Sequence, residues 1–202
     1  GVIDCVEAIE TTDPNNSCSF VLDSQTVASN SAWNNGDCDG DGVTNGQEVT
    51  DKTDPLDGCD LIVVNQDTTP TAEWNAQDCD GDGVTNEQEL TDGTDPLDGC
   101  DLIIANQNTT PTPEWETLDC DGDGVSNGQE VKDGTDPIDG CDLIVANQDT
   151  TPTAEWNAQD CDGDGVTNGQ EVTDSTDPVD GCDLIAANQD TTPTPEWDIL
   201  DC

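Results

Sequence analysis

The chain has 202 residues, and its 48 Asp and Glu against 2 Lys and Arg give a formal net charge of −46 at pH 7. This charge excludes nucleic acid and anionic membrane surfaces as partners, and no apolar run of about 18 residues is present that would insert into a bilayer. With 5 Trp, 1 Phe and neither Tyr nor Met, the chain also lacks the large apolar side chains that one core spanning its length would need.

A 41-residue repeat organises the chain. Ten of the 11 Cys fall on two series with this step, one from Cys18 to Cys182 and one from Cys38 to Cys202, and only Cys5 lies outside them. Each Trp stands five residues before a Cys of the second series. The predicted divisions are a truncated calcium repeat at 1–18, a linker at 19–36, repeats at 37–77, 78–118, 119–159 and 160–200, and the start of a further repeat at 201–202.

Each complete repeat opens with an acidic stretch, DCDGDGVTNGQE at 37–48 in the first copy. It matches the calcium-loop pattern D-x-[DN]-x-[DN]-G-x5-E, in which the Gly permits a sharp turn. Side chains at loop positions 1, 3, 5, 9 and 12 and the backbone carbonyl at position 7 are the expected ligands. The truncated repeat retains only Asp4 and Glu7, at positions 9 and 12. The alternative is an acidic turn that is merely solvated.

Oxygen ligands without His favour calcium over zinc or copper, and the Glu at position 12 is expected to bind through both oxygens. The expected ligands in the four copies are Asp37, Asp39, Asp41, Val43, Asn45 and Glu48; Asp78, Asp80, Asp82, Val84, Asn86 and Glu89; Asp119, Asp121, Asp123, Val125, Asn127 and Glu130; and Asp160, Asp162, Asp164, Val166, Asn168 and Glu171.

The residues after each loop, NGQEVTDKTDP in the first copy, predict a short helix that ends before Pro55. The Asp of each TDP triplet is a candidate ligand for a second cation, which would reduce the excess negative charge. Alternatively, this Asp only ends the helix through an Asx turn. These residues are Asp54, Asp95, Asp136 and Asp177 in the complete repeats and Asp13 in the truncated repeat.

The stretch DCDGDGVSNGQEVKDGTDP at 119–137 resembles the bacterial version of the thrombospondin type 3 repeat. This resemblance implies a calcium-wrapped rod in which the acidic motifs carry the ions and cysteines pair between neighbouring motifs. It also implies a place in a large secreted, adhesive or cell-wall protein.

The second half of each repeat, such as CDLIIANQNTTPTPEWETLDC at 100–120, predicts a short apolar strand followed by a one-turn helix that carries Trp115. The apolar run and the Trp ring are expected to face each other, so each repeat has its own small core. A disulfide across the linker would pair Cys18–Cys38, Cys59–Cys79, Cys100–Cys120, Cys141–Cys161 and Cys182–Cys202, leaving Cys5 over. The alternative pairing, Cys38 with Cys59 and onward, stays open at this stage.

Several linker residues are candidates for glycosylation. The sequence DTT resembles the acceptor of some bacterial O-glycosylation systems, and two Asn residues stand in Asn-x-Ser/Thr patterns. The alternative is an ordinary polyproline-like spacer with exposed hydroxyls. The candidates are Thr68, Thr150, Thr191, Asn108 and Asn15.

The function predicted from these features is structural. The chain lacks His and Arg, its carboxylates are committed to calcium, and repetition does not suit one active site, so no enzyme is expected. Eleven Cys indicate an oxidising compartment, outside the cell or on its surface. The expected fold is a small, irregular repeat protein: an elongated, disulfide-linked, calcium-wrapped rod with short helices and short strands and no single large core.

Such a rod would serve as a surface fibre, an adhesin stalk or a filament that self-assembles. Two binding modules are the alternatives. A dockerin-like module would use the calcium loops to hold a partner protein, and a carbohydrate-binding module would use Trp rings exposed at fixed spacing.

Overall fold

The computed structural model describes residue 7 and residues 9–199. The chain forms two compact units, and the boundary between them lies in sequence between Thr109 and Thr110. The predictions for Asp4, Cys5, Cys202 and the further repeat at 201–202 lie outside the described residues. Glu7, the residue at loop position 12 of the truncated repeat, is buried.

The first unit consists of short helices joined by irregular segments. Its α-helices are α1 (Ser31–Asn34), α2 (Asn45–Asp51), α3 (Ala72–Asn75) and α4 (Asn86–Asp92), and 3-10 helices lie at Leu22–Ser24, Val63–Asn65 and Ile104–Asn106. Helix α3 begins where the Thr71 side chain accepts the Trp74 N–H, and Asn30 caps α1 in the same way. The one-turn helix that carries each Trp therefore starts at a polar cap.

The second unit is built from the same parts. Its α-helices are α5 (Asn127–Asp133), α6 (Ala154–Asn157) and α7 (Asn168–Asp174), and 3-10 helices lie at Trp115–Thr117, Val145–Asn147, Ala186–Asn188 and Trp197–Ile199. The one-turn helix predicted around Trp115 is present as a 3-10 helix.

The helix after each acidic loop ends at a residue in the left-handed conformation. In α2 this residue is Lys52 (φ 71°), and Gly93, Gly134 and Ser175 take its place in α4, α5 and α7. The amides of Lys52 and Thr53 both donate to the Glu48 carbonyl, at 2.7 and 3.1 Å. This paired cap ends the helix before the TDP triplet, so the prediction of a short helix is confirmed.

The prediction of short strands is wrong for the described residues. In the run that includes Ile103, the backbone is extended at that residue (φ −107°, ψ 103°), but the next three residues form a 3-10 helix. The amides of Asn108 and Thr109 then donate to the carbonyl of Gly83, at 2.8 and 2.9 Å, rather than to a neighbouring strand. An apolar run forms a strand only where it can hydrogen-bond to a neighbouring strand. Here the amides that follow the run hydrogen-bond to an acidic loop instead.

Disulfides close the linkers as predicted. Cys18–Cys38, Cys59–Cys79 and Cys141–Cys161 each join residues 20 apart in sequence, with Cα–Cα distances of 5.3, 5.4 and 5.3 Å. Cys100, Cys120 and Cys182 are also disulfide-bonded. The alternative pairing of Cys38 with Cys59 is therefore wrong.

Small separate cores hold the repeats together. Val43, Leu61 and Trp74 form one in the first unit, and Val125, Leu143 and Trp156 form its counterpart in the second. The predicted contact between apolar run and Trp ring is confirmed in both. The Val at loop position 7 was predicted only as a carbonyl ligand, but its side chain is 0% exposed and completes the core. Loop and linker thus share one core in each of these repeats.

Candidate metal centre

Two glycines give the acidic loop its tight turn. Gly40 and Gly42, at loop positions 4 and 6, have φ values of 82° and 95°, which other residues rarely adopt. A Cβ added at Gly40 would lie 2.5 Å from Thr71 Oγ1, and one at Gly42 would lie 2.9 Å from Pro70 Cγ. The loop therefore needs glycine both for its backbone and because the linker packs directly against it.

The three Asp side chains of each loop converge. Their carboxylates offer oxygens that all lie within 4.8 Å of one another, an arrangement that could hold a metal ion. Asp41 Oδ1 accepts the Val43 N–H at 2.7 Å, and Asp39 Oδ1 accepts the Asp41 N–H at 3.3 Å. Each of these carboxylates turns one oxygen to the backbone and leaves the other for a ligand. The triplets are Asp37, Asp39 and Asp41; Asp78, Asp80 and Asp82; Asp119, Asp121 and Asp123; and Asp160, Asp162 and Asp164.

Buried oxygens without a protein partner mark the centre of each loop. The Glu at position 12 is 0% exposed in all four loops, yet neither of its oxygens has a hydrogen-bond partner among the described residues. Oδ2 of the Asp at positions 3 and 5 is buried and unpaired in the same way, and Asp119 and Asp160 add Oδ1. Burying several carboxylate oxygens without a donor is costly, so these sets require a cation or protons.

The raised pKa values of these carboxyl groups indicate the same need for a cation or protons. Burial, followed by the charges of Asp39 and Asp41, raises the pKa of Glu48 to about 8. Burial also raises the pKa of Asp39 to about 7, with the neighbouring Asp41 as the next cause. In the third loop the corresponding pKa of Glu130 rises to about 9. A metal-free loop would therefore hold protons at neutral pH, and a divalent cation would displace them.

The Asn at loop position 9 was predicted as a ligand acting directly or through water, and in the structure its amide braces the loop. Asn45 Oδ1 accepts the Cys38 N–H at 3.0 Å, while Nδ2 donates to the Trp33 carbonyl at 2.8 Å. Asn86, Asn127 and Asn168 repeat both contacts. A direct ligand role for these Asn residues stays a prediction, whereas the bracing contacts are formed in every copy.

The next predicted ligand is the backbone carbonyl of Val43. Within the described residues, hydrogen bonds between loop and linker reach the carbonyls of Asp41 and Gly42 but not that of Val43. It stays a predicted ligand at position 7, as do the carbonyls of Val84, Val125 and Val166.

The TDP Asp residues make Asx turns. Asp54 Oδ1 accepts the Leu56 N–H at 3.1 Å, and Asp95, Asp136 and Asp177 repeat the contact. Within the described part of the chain, none of them belongs to a cluster of three acidic side chains. They do lie near the loops, since the Asp54 charge contributes to the raised pKa of Glu48. The structure thus places them in turns that follow the helices, beside the centre, and a second ion stays a prediction.

A segment of the linker, here called the strap, folds back over the acidic loop of its own repeat. It comprises residues 66–71, with equivalents at 107–109 within the first unit and at 148–153 and 189–194 in the second. Gln66 Nε2 donates to the Asp41 carbonyl at 2.6 Å, and the amides of Asp67 and Thr68 donate to the Gly42 carbonyl at 2.8 and 2.9 Å. The sequence pattern did not predict this contact. The only signal for it is that each linker follows its loop at the same spacing.

The candidate glycosylation residues are all exposed. Most of their side chains are nevertheless engaged within the protein. The hydroxyls of Thr68, Thr150 and Thr191 donate to Asp carboxylates of the loops. Asn108 bonds the amide and the hydroxyl of Thr85, both at 3.1 Å. A glycan on one of these Thr residues would replace the proton that makes the bond.

The Trp rings of three complete repeats do not form a sugar-binding face. Trp74 and Trp115 are 1% exposed and Trp156 is 0% exposed. Trp74 Nε1 donates to the Gly58 carbonyl at 2.5 Å, and Trp156 Nε1 does the same to Gly140. The carbohydrate-binding alternative needs exposed rings and is wrong for these three residues.

Comparison with known proteins identifies the repeated unit. The family model described as the bacterial TSP3 repeat matches residues 37–58, 78–99, 119–140 and 160–181. The chain therefore carries four tandem bacterial TSP3 repeats, a structural calcium-binding repeat rather than an enzyme family. Each match covers the acidic loop, its helix and the TDP turn, and it stops before the linker. No curated protein and no solved structure matches the chain.

The disulfides suit an oxidising compartment. Within the residues that the structure describes, no helix has the length and apolar content to cross a bilayer.

Proposed function

We propose that the protein is an extracellular structural protein whose four acidic loops each bind Ca²⁺. The observation that carries this proposal is the set of buried carboxylate oxygens without protein donors, which recurs in every loop. The donor set contains only oxygen, which suits a hard cation. When bound, the ion would supply the positive charge that lets these carboxylates stay ionised and close together.

Residues at different loop positions would contribute different numbers of oxygen ligands to the ion. The Asp residues at positions 3 and 5 would each contribute one oxygen, because the other already accepts a backbone N–H in the loop. The Glu at position 12 would contribute both oxygens, as neither has another partner among the described residues. The Asp at position 1 and the carbonyl at position 7 complete the proposed set, and the Asn at position 9 is retained as a ligand acting through water.

We further propose that the repeats form a rod that serves as a stalk, an adhesin arm or a self-assembling surface fibre. What supports this is that each loop contacts the linker of its own repeat, and that acidic surfaces repel one another and oppose folding back. A second calcium ion at the TDP Asp residues belongs to the same proposal. So does a glycan coat, which on Thr68, Thr150 or Thr191 would replace the hydroxyl's bond to the loop. Small-angle scattering should give a maximum dimension that grows linearly when a 41-residue repeat is added, and growth as the cube root of mass would overturn the rod.

Calcium counting by native mass spectrometry tests the central proposal. The wild-type chain should take up at least four Ca²⁺, and Asp121→Asn should lose one ion because it removes a carboxylate of the third loop. Glu155→Gln changes the same charge at an exposed position outside the loops and should keep the wild-type count. Fewer than four ions on the wild-type chain, or an equal loss in both variants, would reject the loops as the binding sites.

A further inference from the structure

We propose that the Thr at the third position of each strap is a positioning residue that sets the calcium affinity of the loop in its own repeat. These residues are Thr68, Thr109, Thr150 and Thr191. The inference rests on the proposed calcium function, and it concerns residues that lie outside the segments matched by the family model.

The contact that carries the proposal recurs in all four repeats. Each Thr hydroxyl donates to Oδ2 of the Asp at loop position 1, 31 residues earlier: Thr68 to Asp37 at 3.3 Å, Thr109 to Asp78 at 2.7 Å, Thr150 to Asp119 at 2.5 Å and Thr191 to Asp160 at 2.7 Å. The preceding residue is Asp in three straps and Asn in one, so the contact does not depend on that neighbour.

The backbone of the strap fixes where this hydroxyl lies. In the third repeat, Gln148 Nε2 donates to the Asp123 carbonyl at 2.6 Å, and the amides of Asp149 and Thr150 donate to the Gly124 carbonyl at 2.8 and 2.9 Å. The Thr150 side chain is exposed, so burial does not force its orientation. Its bond to Asp119 is therefore a specific contact, held in place by the strap backbone.

The bond orients the carboxylate toward the centre of the loop. Asp119 Oδ2 accepts both the Gly124 N–H, at 3.1 Å, and the Thr150 hydroxyl. Oδ1 is buried and has no partner among the described residues, so it is the oxygen available to a cation. Without Thr150, one of the two donors that hold this orientation is lost. Loss of an outer partner of a metal ligand typically weakens metal affinity by about 10- to 100-fold.

Thr150→Val tests the proposal because it keeps the side-chain size and removes the hydroxyl. Calcium titration in a chelator buffer, followed by the amide resonance of Gly124 in ¹H–¹⁵N NMR spectra, reports on the third loop. The amides of Gly42, Gly83 and Gly165 report on the other three loops in the same sample. Thr150→Val should weaken calcium binding by the third loop about tenfold and leave the others unchanged.

Two control variants make the result specific. Thr150→Ser restores the hydroxyl and should bind calcium as the wild type does. Thr151→Val changes the adjacent exposed Thr, whose side chain makes no hydrogen bond within the described residues, and should also bind normally. The urea midpoint of the metal-free chain should be equal in all variants, because the proposed role is exerted on the bound ion.

The outcomes separate this inference from the function on which it rests. If no loop glycine of the wild type responds to calcium, the proposed calcium function fails. If the wild type titrates but Thr150→Val binds as tightly as Thr151→Val, only the positioning role is overturned. It is also overturned if Thr150→Val lowers the metal-free midpoint and Thr150→Ser does not restore affinity, since Thr150 would then only support the fold.

Discussion

Two linkers of the first unit share most of their structure. Residues 19–36 follow the truncated repeat, and residues 59–77 follow a complete acidic loop. Both end at a disulfide, with Cα–Cα distances of 5.3 Å for Cys18–Cys38 and 5.4 Å for Cys59–Cys79. In both, the Trp Nε1 donates to a carbonyl 16 residues earlier, Trp33 to Ser17 at 3.1 Å and Trp74 to Gly58 at 2.5 Å.

They differ in how well the Trp is buried. Trp74 is 1% exposed and packs with Leu61 and with Val43 of the loop. Trp33 is half-buried against Phe20, with ring centroids 5.8 Å apart, beside a cavity of 310 Å³ that both rings line. The disulfide alone is thus insufficient to bury the ring. In the repeats that contain Trp74 and Trp156 the acidic loop supplies a Val to the core, which ties their packing to the state of the loop, whereas Trp197 is half-buried although its loop is complete.

Calcium removal should have the largest effect on stability. It should also change the surroundings of Trp74, Trp115 and Trp156 more than those of Trp33. Each site saturated at a hundredfold excess over its Kd contributes about 2.7 kcal/mol, and four sites act together. With 5-fluorotryptophan labels, ¹⁹F NMR should show the resonances of Trp74, Trp115 and Trp156 moving toward solvent-exposed values on chelation. The Trp33 resonance should move least. An equal shift for Trp33 would break the proposed link between loop and core.

Truncating the rings should give the next largest difference. Trp156→Ala should cost its repeat about 3–5 kcal/mol, because it empties a fully buried core position. Trp33→Ala should cost clearly less, since its ring is already partly solvated. Hydrogen exchange measured by mass spectrometry in calcium, on peptides covering the mutated linker, gives the local free energy of opening. Similar losses at the two positions would show that the exposure of Trp33 does not reflect weaker packing.

Replacing the Glu at loop position 12 should weaken calcium binding but stabilise the metal-free repeat. Glu130→Gln removes a bidentate carboxylate and should weaken calcium binding by the third loop at least about tenfold. In the metal-free chain Glu130 must take up a proton to be buried at neutral pH, and Gln removes this cost, so the same repeat should become more stable. Calcium titration and urea denaturation in chelator measure the two effects. Glu116→Gln, an exposed control, should show neither, and a variant that loses stability in chelator would identify Glu130 as a structural residue only.

A pH dependence is expected mainly in the complete repeats. Burial is the main cause that raises the pKa of Glu130 to about 9, that of Asp121 to about 7 and that of Asp123 to about 6. Because the folded-state pKa values exceed the unfolded ones, the metal-free repeat is favoured at low pH and loses stability as the pH rises from about 4 to about 9.

Hydrogen exchange in chelator at pH values from 5 to 9, corrected for the intrinsic exchange rate, measures this loss. Peptides from residues 19–36, a linker whose only acidic residue is Asp23, should change less than those from the third repeat. In saturating calcium the trend should reverse, since protons then compete with the ion. A metal-free repeat that gains stability with rising pH would contradict the burial of these carboxyl groups.

Local patterns accounted for much of this fold. The loop helices, the Trp-bearing one-turn helices and the Asp triplets follow from short-range signals: a Gly that permits a turn, a Thr cap and carboxylates at alternate positions. The pairing of Cys59 with Cys79 was one of two arrangements that the spacing allowed, and the structure decided between them. These features were predictable because the residues that determine them lie close together in sequence.

Contacts over longer distances were not predictable in this way. The run that includes Ile103 has the composition of a strand, but a strand needs a partner that no local pattern can supply. The contact between Thr150 and Asp119 spans 31 residues and joins a linker to a loop, so neither segment predicts it by itself. Asn45 fits a ligand position in the loop motif, and only the placement of the Cys38 amide and the Trp33 carbonyl reveals its bracing contacts.

The linker disulfides have a further consequence when the chain is pulled from its ends. A repeat of 41 residues without a bridge could extend to about 140 Å once unfolded. The bridge between Cys59 and Cys79 takes the 19 residues between them out of the path of tension and replaces them by a step of 5.4 Å. The same repeat then reaches only about 75 Å. Covalent bonds thus limit the extension of the repeat to about half the contour length that it would have without the bridge, whether or not its loop holds an ion.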